Sequence, residues 1–125
     1  MKISYSNKSD EELIDLYQTT QNKHYLVYLY QRHFHLTYGC CLKYLASESD
    51  AKDLCTELYE LLSDKLLSHK ISNYKSWLYR VTYNQCMLFL RKKKKSIEKQ
   101  KEFQLNQNED VEFDLFNHPT IKNEA

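Results

Sequence analysis

Residues 51–66 read AKDLCTELYELLSDKL, and the apolar members Ala51, Leu54, Cys55, Leu58, Leu61, Leu62 and Leu66 recur at i, i+3, i+4 and i+7. That period gathers them on one side of an α-helix, so the segment is predicted to be a helix with one buried face. Ser47, with Asp50 three residues later, marks its start. On another side Asp53, Glu57, Glu60 and Asp64 stand at i, i+4, i+7 and i+11, and no lysine at i+4 follows the first three. Like charges at that spacing cost a few tenths of a kcal/mol per pair, roughly what an interleaved pattern would gain. An unrelieved acidic stripe edged by apolar residues therefore reads as a surface for a basic partner helix.

The flanking segments continue the helical pattern. Ser9-Asp10-Glu11-Glu12 is a capping box, and Leu13, Ile14, Leu16 and Tyr17 make a short first helix that ends near Thr20. Residues 23–45 contain no proline and place Leu26, Leu29, Tyr30, Phe34, Tyr38, Cys41, Leu42 and Leu45 at helical spacing, predicting one long helix. Gly39 weakens it by about 1 kcal/mol relative to alanine, which a helix of that length absorbs. The stretch SHKISNYKS over 68–76 breaks the period and is expected to be a loop. From about Ser76 a last helix turns Trp77, Leu78, Val81, Leu88 and Phe89 toward the core, Trp77 serving as an anchor. Arg80, Asn84, Met87 and Arg91 stack on another side, with Tyr79 and Tyr83 nearby and Lys92, Lys93, Lys94 and Lys95 beyond. Guanidinium and amide groups suit phosphates and base edges, and tyrosine rings suit unpaired bases.

The expected fold is all-α: a compact four-helix bundle of three longer helices plus the short N-terminal one. It occupies residues 9–95, after an N-terminal arm (1–8) and before a helix extension leading into a disordered acidic tail or linker (96–125).

Composition narrows the function classes. The chain has 125 residues, one domain's worth, with a single glycine (Gly39) and a single proline (Pro119). That argues against tight hairpins and glycine-rich phosphate cradles. No apolar run approaches the roughly 18 residues of a membrane span, and the opening Met1-Lys2-Ile3-Ser4 is no signal peptide, so a cytoplasmic protein is expected. Cys40, Cys41, Cys55 and Cys86 form no CxxC pair and read as reduced core residues. His33 and His35, two apart on a helix, diverge by roughly 200° and share no metal. No nucleophile, base and oxyanion set can be assembled, so no catalytic residue, metal or cofactor is expected. The net charge of +1 conceals a partition: residues 1–90 are neutral, 91–101 carry +6 and 102–125 carry −5. A basic block on a neutral body suits a polyanion.

The order SDEELI, LYQRHF, AKDLCTELYELL and YKSWLYRVTYNQCMLFLRKKKK resembles region 2 of the bacterial sigma-70 family, in its extracytoplasmic-function branch, over residues 9–95. Ala51-x-Asp53-Leu54-x-x-Glu57-x-Tyr59 is similar to the family's A-E-D-L-x-Q-E-x-F, and Trp77-Leu78-x-x-Val81-x-x-Asn84 with Leu90-Arg91-Lys92 to W-L-x-x-I-A-x-N and L-R-K. The resemblance implies a transcription initiation domain without enzymatic activity. It would dock on the β′ clamp helices of core RNA polymerase through Asp53, Leu54, Glu57, Glu60 and Asp64. It would also read and melt the minus-ten element as the non-template single strand. For that, it implies contacts from Asn73, Tyr74, Lys75, Arg80, Tyr83, Asn84, Met87, Arg91, Lys92, Lys93, Lys94 and Lys95, the 68–76 loop holding a flipped-out base. An anti-sigma factor is a further implied partner.

Departures from the family pattern are Lys52 in place of an acid, Thr56 in place of Gln, and Tyr83 where many members carry Arg. No helix-turn-helix pattern for a minus-thirty-five element follows in residues 96–125, as in a region-2 fragment or a one-domain relative. The alternative to the sigma reading is a helical protein-interaction module, an anti-sigma partner or adaptor, without sequence-specific DNA binding.

Overall fold

The apolar line predicted over 51–66 is the buried side of α4, which runs Glu48–Ser68 and contributes Ala51, Leu54, Cys55, Leu58, Leu62 and Leu66 to the core. The computed structural model describes residues 5–103, the side chains as far as residue 100. The helices around α4 are α1 (Asp10–Thr20), α2 (Lys23–Arg32), α3 (Phe34–Leu45) and α5 (Tyr74–Phe103). Among the described residues there is no strand. By its internal contacts the chain divides into two units, Met1–Gln85 and Cys86–Ala125, and α5 crosses the division. The acidic tail expected from the sequence lies, from residue 104 on, outside the described residues.

Both capping sites form as their residues dictate. Ser9 Oγ accepts from the Glu12 amide at 3.1 Å while the Ser9 amide donates to Glu12 Oε1 at 2.8 Å, and Ser47 Oγ accepts from the Asp50 amide at 3.1 Å. Each satisfies an amide that the first helical turn leaves without a carbonyl.

Residues 23–45 do not form one helix, so the described residues form five helices where the sequence leads one to expect four. The chain breaks at His33, whose φ of −111° and ψ of 18° are not helical. Neither glycine nor proline causes it. Asp10, in the first turn of α1, takes Arg32 Nη1 on one carboxylate oxygen and His33 Nε2 on the other, both at 2.9 Å. Consecutive residues of a regular helix point roughly 100° apart, and the non-helical backbone at His33 accompanies the convergence of the two neighbours on one carboxylate. Arg32 is held further by the Tyr5 carbonyl at 3.1 Å and lies 5.1 Å over the Tyr28 ring. Tyr5, in the segment expected to be an N-terminal arm, packs its ring 5.2 Å from Tyr25 and 5.4 Å from Tyr28.

Within the first unit, α3 packs on α4, and α1 packs on α2 and α4. Two tyrosine hydroxyls tie these layers to the α4 backbone: Tyr17 donates to the Ser63 carbonyl and Tyr30 to the Cys55 carbonyl, each at 2.7 Å. A helical carbonyl keeps a second lone pair for such a donor. Gln18 Nε2 donates to the carbonyls of Leu66 at 2.7 Å and His69 at 3.0 Å, satisfying acceptors at the C-terminus of α4. All four cysteines are reduced and buried, with Cys41 and Cys55 bringing their sulfurs to 4.0 Å between α3 and α4.

The expected loop over 68–76 is shorter. α4 runs to Ser68 and α5 starts at Tyr74, with Asn73 Oδ1 accepting from the Ser76 amide at 3.2 Å.

Candidate protein and nucleic-acid interfaces

On α4 the spacing 53, 57, 60, 64 leaves all four carboxylates exposed, and among the described residues none of them forms an ion pair. Their mutual repulsion is therefore relieved only by solvent. Leu54 requires a correction: it is 2% exposed, part of the core beneath the stripe, and offers no surface to a partner. What borders the stripe instead is a groove of about 420 Å³ whose walls are Val27, Tyr30, Gln31 and Phe34 on one side and Lys52, Cys55, Thr56 and Tyr59 on the other. Val27 and Phe34 are both 37% exposed at its rim. Two of the departures from the family pattern, Lys52 and Thr56, thus line this groove rather than the carboxylate row.

The first turns of α5 sort their side chains differently from the sequence expectation. Leu78 is buried as predicted, but Tyr74 and Thr82 share the core with it, while Trp77 and Val81 are only half-buried. The buried line is thus rotated by roughly 40° from the expected one. Tyr74, assigned to the DNA face, is 1% exposed, its ring 5.6 Å from His33 and 6.2 Å from Trp77; burial, and then the Asp10 charge, push its hydroxyl pKa up. It is unavailable as a base platform. Lys75, Arg80 and Asn84 are exposed, and Asn73 is exposed while it caps the helix. Tyr83 is half-buried with its ring edge against Tyr44 at 5.3 Å and 75°.

In the second unit α5 carries Arg91, Lys92, Lys93 and Lys95 exposed, with Lys94 and Met87 half-buried. Cys86 and Leu90 are buried there, whereas Leu88, expected in the core, is 37% exposed.

Three features escape sequence reasoning: the clamp of Asp10 on Arg32 and His33, the groove beside the stripe, and the approach of Tyr44 on α3 to Tyr83 on α5. Each joins residues more than twenty positions apart, and no local period signals them. His33, one of two histidines weighed as metal ligands, is engaged with Asp10. Among the described residues no group of three His, Cys, Asp or Glu side chains is placed to hold a metal ion, and no helix is long and apolar enough to cross a membrane.

Comparison with known families finds one model that matches, sigma-70 region 2, over residues 29–96, from the end of α2 through the basic run of α5. Comparison with curated proteins and with solved structures finds no match. The matched span covers more than half of the 125 residues and includes both the carboxylate row and the cationic helix. The chain therefore belongs to the sigma-70 region 2 family, with a sigma-factor role in transcription initiation that involves core RNA polymerase and promoter DNA.

Proposed function

We propose that this chain is region 2 of an extracytoplasmic-function-type sigma factor, acting in the cytoplasm. It docks on the β′ clamp helices of core RNA polymerase and holds the melted minus-ten element by its non-template strand. Asp53, Glu57, Glu60 and Asp64 meet basic side chains of the clamp helices, and the neighbouring groove receives their apolar ones. Arg80, Asn84 and Lys75 meet the single strand, and Arg91, Lys92, Lys93, Lys94 and Lys95 supply the sequence-independent attraction to its phosphates. No catalytic residue or cofactor enters this function. An anti-sigma factor would act by covering one of the two surfaces.

The observation that carries the reading is the division of labour between two helices. α4 exposes four carboxylates without an ion-pair partner among the described residues, and α5 exposes Lys75, Arg80 and Asn84. One face suits a basic protein and the other a polyanion. The test is whether the purified chain co-migrates with core RNA polymerase, and whether it binds the non-template strand with a salt slope near −2, the value for roughly three phosphate contacts on a single strand. Polymerase binding without strand preference or salt dependence would favour a protein-interaction module instead.

A further inference from the structure

Residues 69–73 link α4 to α5, and both ends of that loop are fastened to one helix, α1. At its start, Gln18 Nε2 donates to the carbonyls of Leu66 at 2.7 Å and His69 at 3.0 Å. Tyr17, the residue before, donates its hydroxyl to the Ser63 carbonyl at 2.7 Å and so holds this end of α1 on α4. At the far end of the loop the path runs through side chains. Asp10 Oδ2 meets His33 Nε2 at 2.9 Å, and the His33 ring lies 5.6 Å from that of Tyr74, the first residue of α5. Trp77 closes the circuit, its ring 6.2 Å from Tyr74 and 6.4 Å from His69.

Capping alone does not account for this arrangement. The His69 amide already donates to the Lys65 carbonyl at 3.1 Å, and Asn73 Oδ1 accepts from the Ser76 amide at 3.2 Å, so each flanking helix closes with local groups. Gln18 and Asp10 add anchors from a helix that precedes the loop by many turns of chain. Between those anchors Lys70, Ser72 and Asn73 are exposed, and Lys75 is exposed just beyond. A loop with fixed ends and a solvent-facing middle loses little freedom when a ligand orders it. Its ammonium, hydroxyl and amide groups suit phosphates and base edges. The family match begins at residue 29, so α1 lies outside the matched span.

We infer that α1 is a brace that presets the 69–73 loop for the DNA single strand, Gln18 positioning its start and Asp10, through His33 and Tyr74, its end. Gln18 and Asp10 are positioning residues and do not touch the strand. This rests on the reading of the chain as a holder of the non-template strand and adds what sets its selectivity among strands.

The experiment uses the full chain and a pool of short fluorescein-labelled single-stranded oligodeoxynucleotides randomised over a central hexamer. Selection on the parent chain yields a preferred strand, whose affinity is compared with that of a scrambled strand across a salt series. The parent prefers the selected strand by roughly 10-fold or more. Gln18→Glu, which replaces the donor by an acceptor of the same size, and Asp10→Asn, which removes the charge, each cut that ratio by roughly 3- to 10-fold. The scrambled strand keeps its affinity and salt slope, because the phosphate contacts remain. Glu11→Gln, on α1 but outside both anchors, keeps the parent's ratio. A merely structural role would lower the fraction of competent protein and weaken both strands alike, leaving the ratio in place. Far-ultraviolet circular dichroism checks folding, and Gln18→Ala takes the place of Gln18→Glu should the latter not fold. Arg80→Gln reports separately on the promoter face. If it weakens binding while a folded Gln18→Glu or Asp10→Asn variant keeps the parent's ratio, the brace is overturned and the promoter reading stands. Equal weakening of both strands by these variants also overturns the brace. A parent chain with neither strand preference nor salt dependence removes the promoter reading, and the brace with it.

Discussion

α4 and the first turns of α5 are both amphipathic, but they obey their hydropathy to different degrees. In α4 the buried residues Ala51, Leu54, Cys55, Leu58, Leu62 and Leu66 follow the apolar period and the carboxylates face solvent. In α5 a threonine, Thr82, is 0% exposed while Tyr79 is 47% exposed. Leucine and glutamate differ by several kcal/mol in their preference for water, so a helix made of them has one sensible orientation. Tyrosine, tryptophan and threonine are amphipathic or small, the difference between inside and outside is slight, and the neighbouring helices choose.

The largest expected effect tests the α4 side of this contrast. Leu58→Ala, at a site 0% exposed, should lower stability by about 2–5 kcal/mol in urea unfolding, whereas Leu88→Ala, at a site 37% exposed, should cost under about 1 kcal/mol. Comparable losses would mean that the two helices are not differently committed. Next come the functional faces. Asp53→Lys should weaken polymerase binding by about tenfold or more and leave strand binding intact, while Asn84→Ala should impair strand selectivity and leave polymerase binding intact. Loss of both activities in either variant would point to unfolding.

A smaller effect probes the buried threonine of α5. The Thr82 hydroxyl is buried without a hydrogen-bond partner, so Thr82→Val should raise stability by about 1 kcal/mol. A loss instead would show that the hydroxyl is solvated. The smallest effects are backbone ones on α3, measurable as shifts in thermal midpoint. Gly39 is helical with nothing within 4 Å of an added Cβ, so Gly39→Ala should gain up to about 1 kcal/mol. Ala46 closes α3 with φ of 53°, a left-handed value, so Ala46→Gly should gain about 0.5–1 kcal/mol.

Legibility in the sequence followed the range of the interaction. Ser9 with Glu12 and Ser47 with Asp50 are read within four residues, and both caps form. The carboxylate row on α4 is read within twelve and is exposed throughout. The break at His33 is invisible locally, because it answers to a carboxylate twenty-three positions earlier. The resemblance puts Leu54 on a docking surface by its motif position and Tyr74 on the DNA face as part of the 68–76 loop, yet both are in the core, since neither a motif nor a break in periodicity gives the rotation of a side chain.

The residues alone settled the helical class, the starts of α1 and α4, and the sign of charge on each exposed face, because capping, periodicity and like-charge spacing act within a few turns of one helix. Packing settled where residues 23–45 break, which way the start of α5 turns, and that Tyr44 meets Tyr83 on it. Those outcomes depend on carboxylates, hydroxyls and rings from distant positions, whose energies exist only once the helices have met.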